Sequence, residues 1–227
     1  QTQWWPAAPA PLVLLADHTM PVALSVTAVV PSPSGRLAAV GYGAYQAAPE
    51  LVIWGGPSVG AVGRFPAPCM VGSAAWSPDE RFLVVGRGLP WTGGPGSQGP
   101  CMFVLDARTG AELNRFGDEL FGVSGVALSP DGRTLLASGM LGETHHHGST
   151  LDLWDVASGR HLSQLARIEA DSQNLIPYFT GTAFSPDGSL AITGCGRTAQ
   201  PHGTVAPQGR QLPWWWWRGV RVWRMPD

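Results

Sequence analysis

The sequence predicts an all-β fold made of four successive units of four strands. The first observation is a short turn signature that recurs at residues 32–35, 77–80, 129–132 and 185–188. The second is that a short apolar stretch of strand length lies on each side of every turn. The third is the composition of the 227 residues, in which 30 Gly and 21 Pro supply many turns and 44% hydrophobic residues supply a core.

Each turn signature predicts a β-hairpin. The four turns read PSPSG, WSPDE, LSPDG and FSPDG. Proline suits the second position of a tight turn, and Asp-Gly suits its end. The preceding strands are SVTAVV, GSAAW, GVSGVAL and FTGTAF, and the following strands are RLAAVG, RFLVVG, RTLLASG and SLAITG.

A third strand follows every hairpin, and a fourth strand follows it in the first three units. The third strands are ELVIW, CMFVL, TLDLW and GVRVW, which end at Trp54, Leu105, Trp154 and Trp223. The fourth strands are GAVGRF, AELNRF and HLSQLAR, so the fourth unit is one strand short.

The third unit, GVSGVALSPDGRTLLASG…STLDLWDVASGRHLSQL, resembles a WD-repeat blade, and the other units share its strand rhythm from near Ser25 to Trp223. The resemblance implies a WD-repeat type β-propeller with blades near residues 25–66, 71–117, 122–167 and 178–227. Residues 1–227 would then form a single WD-repeat domain or a segment of one. A TolB-type propeller also uses the SPDG turn, but Trp at three of the four third-strand ends favours the WD type.

The units depart from the WD pattern in one respect. WD blades usually contain a His before the first strand, which joins a Ser and a Trp in a buried hydrogen-bonded network. Ser138 and Trp154 are present in the third unit, but no unit has the His. We therefore expect the blades to be held mainly by apolar packing of sheet on sheet.

The number of blades raises the question of closure, because WD propellers usually have seven. The apolar segment 10–16, with Leu12 to Leu15 at its centre, is predicted to be the outer strand of the last blade or of a preceding blade. The favoured interpretation is an incomplete propeller whose missing blades come from the same longer chain or from a partner. The alternative is a ring closed by the N-terminal strand, or one eight-bladed ring formed by two chains.

Long insertions separate the second and third strands in all units, at residues 42–50, 87–100, 140–149 and 197–219. In a propeller these insertions lie on one face, and loops on a rigid scaffold commonly bind partners. Aromatic side chains are enriched in binding hot spots. The candidate partner-binding residues are Trp214, Trp215, Trp216, Trp91, His145, His146 and His147. For the tryptophans, an intramolecular plug and contact with a sugar or a membrane remain alternatives.

The histidines and cysteines give weak indications of chemistry. His145, His147 and His202 are weak metal candidates, and His18 is a weaker one. Solvated imidazoles are the expected state, so we predict no metal or cofactor. Cys69, Cys101 and Cys195 are expected to be free thiols, with a Cys69–Cys101 bridge as the alternative.

The sequence contains no nucleophile elbow, phosphate-binding loop, HExxH motif or carboxylate pair, so no enzyme activity is predicted. A net charge of −2 argues against nucleic acid as a partner, and the absence of a long apolar run argues against a membrane span.

The expected function is a non-catalytic protein–protein interaction scaffold, a structural subunit of a larger assembly of protein chains. The alternative is a ligand-binding or enzymatic propeller that binds a metal or a sugar, in a secreted protein. The sequence does not fix the compartment, and a cytoplasmic or cytoskeletal assembly is favoured over secretion.

Overall fold

A computed structural model describes residues 25–44, 47–56, 60–88, 99–141, 148–168, 175–199 and 219–225. These ranges contain fifteen β-strands and no helix. The strands are β1 (Ser25–Pro31), β2 (Leu37–Ala44), β3 (Ala47–Gly55), β4 (Gly60–Pro66), β5 (Val71–Trp76), β6 (Phe82–Arg87), β7 (Met102–Asp106), β8 (Glu112–Phe116), β9 (Leu120–Leu128), β10 (Thr134–Leu141), β11 (Ser149–Asp155), β12 (His161–Ile168), β13 (Leu175–Phe184), β14 (Leu190–Ala199) and β15 (Gly219–Arg224).

The strands form four antiparallel sheets whose strand order follows the chain. Sheet 1 contains β1–β4, sheet 2 contains β5–β8, sheet 3 contains β9–β12, and sheet 4 contains β13–β15. The all-β fold and the four predicted sheets are thus confirmed, whereas closure into a propeller and the division into domains stay predictions. The segment 10–16, predicted as an outer strand, lies outside the described residues.

The recurring turn closes each hairpin by the same hydrogen bonds. The backbone N–H of its fourth residue donates to the carbonyl of its serine, at 2.8–2.9 Å in all four turns. That fourth residue has a positive φ, which costs glycine little, and it is glycine at Gly35, Gly132 and Gly188. Glu80 occupies the position in the second turn with a φ of 59°.

The Ser and Asp side chains stabilise three of these turns. In the third turn, the Ser129 hydroxyl donates to the Asp131 carboxylate, and the same carboxylate accepts from the N–H of Arg133 at 3.0 Å. The turns at Ser77 and Ser185 repeat this arrangement with Asp79 and Asp187. The three aspartates are therefore turn formers, as the sequence indicates.

The first insertion is largely strand rather than loop, which corrects the expectation for residues 42–50. Tyr42 pairs with Glu50, and Ala44 pairs with Ala47, so β2 and β3 continue their ladder into it. The ladder continues, with a register shift between Tyr42 and Ala44, because backbone N–H and C=O groups of the added residues pair across the hairpin.

The sheets stack in chain order, and each junction is an apolar core. Sheet 1 packs against sheet 2, sheet 2 against sheet 3, and sheet 3 against sheet 4. At every junction the first strand of the later sheet contacts the earlier sheet. We call the side of a sheet that points to the next sheet its forward face, and the opposite side its rear face. No comparable packing joins sheet 1 to sheet 4 among the described residues.

Two buried tryptophans at the junctions differ in whether their indole N–H groups are hydrogen-bonded. Buried Trp76 donates its indole N–H to the Val30 carbonyl of the preceding sheet at 3.0 Å. Buried Trp154 contacts Phe116 of the preceding sheet, with ring centroids 5.6 Å apart. Its indole N–H finds no hydrogen-bond partner in the described part of the chain.

This difference predicts unequal costs for two matched substitutions. Trp76→Phe removes a hydrogen bond between sheets, whereas Trp154→Phe removes a buried donor that lacks one. We expect Trp76→Phe to lower the free energy of unfolding by about 1–3 kcal/mol more than Trp154→Phe. Urea unfolding of both variants measures the difference, and a larger loss for Trp154→Phe would contradict this account of the two indoles.

The turn aspartates predict a loss of stability in acid. Hydrogen bonds from Ser185 and Ser189 lower the pKa of Asp187 to about 2, and those from Ser129 and Arg133 lower the pKa of Asp131. A carboxylate with a pKa lower in the folded than in the unfolded chain stabilises the fold above the unfolded pKa of about 4. This contribution is lost as the pH falls from there towards 2.

Asp187→Asn should therefore give a thermal midpoint that changes less than wild type between about pH 4 and 2. Ser185→Ala, which removes the first cause of the lowered pKa, should weaken the acid dependence in the same direction. Thermal unfolding measured across this range tests both variants, and slopes equal to that of wild type would refute the assignment.

Candidate functional site

The forward face of each sheet contains three apolar residues at equivalent positions, which we call the forward triad. One lies seven residues after the turn serine on the second strand, and two lie on the third strand. In sheet 4 the triad is Ile192, Val220 and Val222, and Ile192 pairs with Val222 across β14 and β15. The equivalent residues are Ala39, Leu51 and Ile53 in sheet 1, Val84, Met102 and Val104 in sheet 2, and Leu136, Leu151 and Leu153 in sheet 3.

The forward triad is buried in three sheets and exposed in the fourth. The nine triad residues of sheets 1–3 are all at most 4% exposed, because the next sheet covers them. In sheet 4, Ile192 is 42% exposed, Val222 60% and Val220 70%. The same apolar surface that forms the core at three junctions is therefore open to solvent at the end of the row.

At the opposite end of the row, a residue of β1 is exposed although its equivalents on the other first strands are buried. Val26 lies on β1 six residues before the turn serine, as Val71, Val123 and Phe179 do on β5, β9 and β13. The last three are at most 1% exposed because they pack on the preceding sheet, whereas Val26 is 57% exposed. We call the residue at this position the rear contact.

The rear face of sheet 1 is exposed mainly along β1. Val29 pairs with Val40 on this face and is 62% exposed. Towards the centre of the sheet, Val40, Tyr42 and Val52 are buried in a cluster next to Trp54. The strand that makes the sheet-to-sheet contact elsewhere is thus the accessible part of this face.

Buried polar atoms between sheets 2 and 3 form a second cluster. The Arg87 guanidinium donates through Nη2 to the Cys101 Sγ at 2.9 Å, and the Cys101 thiol donates to the Leu120 carbonyl at 2.8 Å. Burial raises the pKa of Cys69 to about 12 and that of Cys101 to about 11, although Arg87 partly offsets both effects. Both thiols are therefore neutral at physiological pH, and Cys69, Cys101 and Cys195 are free.

A buried carboxylate lies next to an exposed imidazole in sheet 3. Asp152 is buried, and its Oδ1 lies 2.9 Å from the Nε2 of His161 on the next strand. The His161 ring also meets Trp154 edge-on, with ring centroids 4.8 Å apart. This pair was not predicted from the sequence, although the hairpin predicted between the third and fourth strands of this unit places His161 opposite Trp154.

The residues proposed from the sequence as binding or metal residues lie outside the described residues, so their placement stays a prediction. They are Trp91, His145, His146, His147, His202, Trp214, Trp215 and Trp216. Within the described ranges, no group of three or more His, Cys, Asp or Glu side chains is arranged to hold a metal ion. The same ranges contain no helix with the length and apolar character needed to cross a bilayer.

No protein-family model matches the chain, and no curated protein is significantly similar to it. The resemblance to WD repeats therefore depends on the turn and strand motifs alone.

The thiol environments predict an order of chemical reactivity. Cys195 is only partly buried, whereas Cys69 and Cys101 are buried and have the raised pKa values given above. A thiol reagent acts on the thiolate, so native Cys69 and Cys101 should react at least about tenfold more slowly than Cys195.

The measurement is labelling with an aromatic disulfide reagent before and after denaturation, with the labelled residues located by mass spectrometry. Cys195→Ser serves as the control and should leave almost no fast-reacting thiol, because the two remaining cysteines, Cys69 and Cys101, are buried. If Cys101 were labelled as fast as Cys195, its thiol would not be buried as described.

Proposed function

We propose that the chain is an incomplete β-propeller of WD-repeat type that acts as a non-catalytic protein–protein interaction module in a larger assembly. The observation that supports this proposal is the exposed forward triad of sheet 4. Contiguous exposed apolar surface commonly marks an interaction site. Full burial of a Val or Ile side chain contributes roughly 1.5–3 kcal/mol, so covering the triad would be strongly favourable.

The surroundings of the triad support the same function. Gly194 lies next to Ile192 on the same face and pairs with Val220, so no charged side chain interrupts the apolar surface between them. Among the described residues, sheet 4 also has one strand fewer than the other sheets, and β15 is the strand at its edge. An edge strand offers unpaired backbone N–H and C=O groups to a partner.

The insertions on one rim provide a second proposed surface. Trp214, Trp215 and Trp216 precede β15 by a few residues, so they belong to the same unit as the exposed triad. Aromatic side chains in such a position are typical binding anchors. In this proposal, the tryptophans and the triad contact the same assembly from one end of the row of sheets.

The proposal predicts that partner binding depends on the exposed triad. The test variant is Ile192→Ser with Val222→Ser, and the control is Leu113→Ser with Leu162→Ser, which alters exposed apolar residues on the last strands of sheets 2 and 3. Chains isolated from their native source under mild conditions should lose co-purifying proteins in the test variant and keep them in the control. Equal recovery from both variants would contradict the proposed surface.

The tryptophan insertion is tested by replacing Trp214, Trp215 and Trp216 with Ser. If these residues bind a partner, the variant should lose the assembly while the thermal midpoint of the isolated chain stays nearly unchanged. If they instead form an intramolecular plug, truncation should cost roughly 3–5 kcal/mol for each buried indole and lower the midpoint. A lower midpoint with the assembly intact would exclude this insertion as a binding surface.

A further inference from the structure

We infer that the partner covering the exposed forward triad of sheet 4 is sheet 1 of a second copy of the chain. Two copies would dock head to tail at two identical junctions and enclose a ring of eight sheets. This inference rests on the proposed function, because it names the partner of the surface proposed there. It concerns the apolar faces of sheets 1 and 4 and involves no insertion.

The exposed triad of sheet 4 and the exposed rear contact of sheet 1 correspond to the two sides of each internal junction. At each internal junction, a forward triad receives the rear contact of the next sheet, as when the triad of sheet 3 packs with Phe179. Sheet 4 has a forward triad with no described sheet beyond it, and sheet 1 has a rear contact, Val26, with no described sheet before it. The described row of sheets therefore has, at its two ends, a forward triad and a rear contact of the types that pack on each other three times within it.

The backbone of β1 has the same local shape as the strands that make these contacts. The ladder between the first and second strands shifts register at the rear contact in all four sheets: after Val26, after Val71, at Val123 opposite Gly139, and after Phe179. A bulge bends a strand and changes where its side chains point. Because β1 has the same bulge, it presents Val26 as β5, β9 and β13 present their rear contacts.

A second copy explains why the triad of sheet 4 and the residues Val26 and Val29 of β1 are exposed at once. If the ends of one chain met, Val26 and Val222 would both be covered, yet each is more than half exposed. Head-to-tail contacts between copies give either a closed ring or an open filament. Propellers typically contain 4–8 blades, so two copies of the four described sheets reach the upper limit and three copies exceed it. The structure thus favours a ring of two chains.

The test measures the mass of the 227-residue chain in solution by light scattering and sedimentation equilibrium at several concentrations. We expect a species of twice the chain mass of 24.0 kDa. Val222→Asp and Val26→Asp each place a charge on one of the two proposed surfaces, at residues exposed enough for folding to tolerate the change. Each should weaken self-association by about 100-fold, because burying an unpaired charge is unfavourable.

A mixture of the two variants separates head-to-tail docking from other dimers. Mixed chains can form one junction without a charge, between the unaltered triad of Val26→Asp and the unaltered Val26 of Val222→Asp. The mixture should therefore associate more strongly than either variant alone, whereas the double variant should stay monomeric. Leu113→Asp, on an exposed outer strand, is the control and should dimerise like wild type with the same circular dichroism spectrum.

Three outcomes would overturn the inference. One is a monomeric wild-type chain, which would exclude self-association, while the co-purification experiment would still test the proposed function separately. Another is a dimer abolished by Val222→Asp but not by Val26→Asp, which would mean that like faces meet. The third is an open polymer that grows with concentration, which would exclude the closed ring of two chains.

Discussion

The packing of each sheet's first strand on the forward face of the preceding sheet is the interaction on which the rest of the structure depends. It buries the forward triads of sheets 1–3 to 4% exposure or less and joins all four sheets in one row. The indole N–H of Trp154 has no partner in the described residues. Apolar contact between sheets, supplemented by bonds such as that from Trp76 to Val30, therefore stabilises the junctions.

This dependence explains why the turn chemistry is repeated so closely. A slip of one residue in a strand pair moves every side chain to the other face, which would place forward-face residues on the rear face. The Ser129–Asp131 turn fixes the register at one end of its hairpin through hydrogen bonds to Arg133 and Thr134. Since the forward residue of β10 is Leu136, seven residues after Ser129, the turn determines which leucine enters the junction. The same spacing places Ile192 on the forward face of sheet 4.

The sequence was sufficient to predict the four hairpins, the third strands and the role of the turn aspartates, because these features are local. It could not show which apolar strands are covered, since GVRVW and TLDLW have the same alternation although Val222 is exposed and Leu153 is buried. Contacts across strands or sheets were missed for the same reason, as with Asp152 and His161 or Arg87 and Cys101. Only residue type distinguishes the candidate tryptophans and histidines of the insertions in the sequence, and they lie outside the described ranges.

The exposed apolar residues of sheets 1 and 4 follow from the way in which the repeated sheets pack. A sheet that packs on both sides must be apolar on both faces, so a row of such sheets ends in two apolar surfaces unless its terminal units differ. Repeat proteins commonly solve this problem with terminal units that have a polar outer face. Within the described row of sheets, neither end sheet is altered in that way, because Val26 and Val29 are exposed on sheet 1 and Val220 and Val222 are exposed on sheet 4. The two end sheets of the described row thus have the same apolar character as the inner sheets, and this is the physical reason for proposing an interaction function.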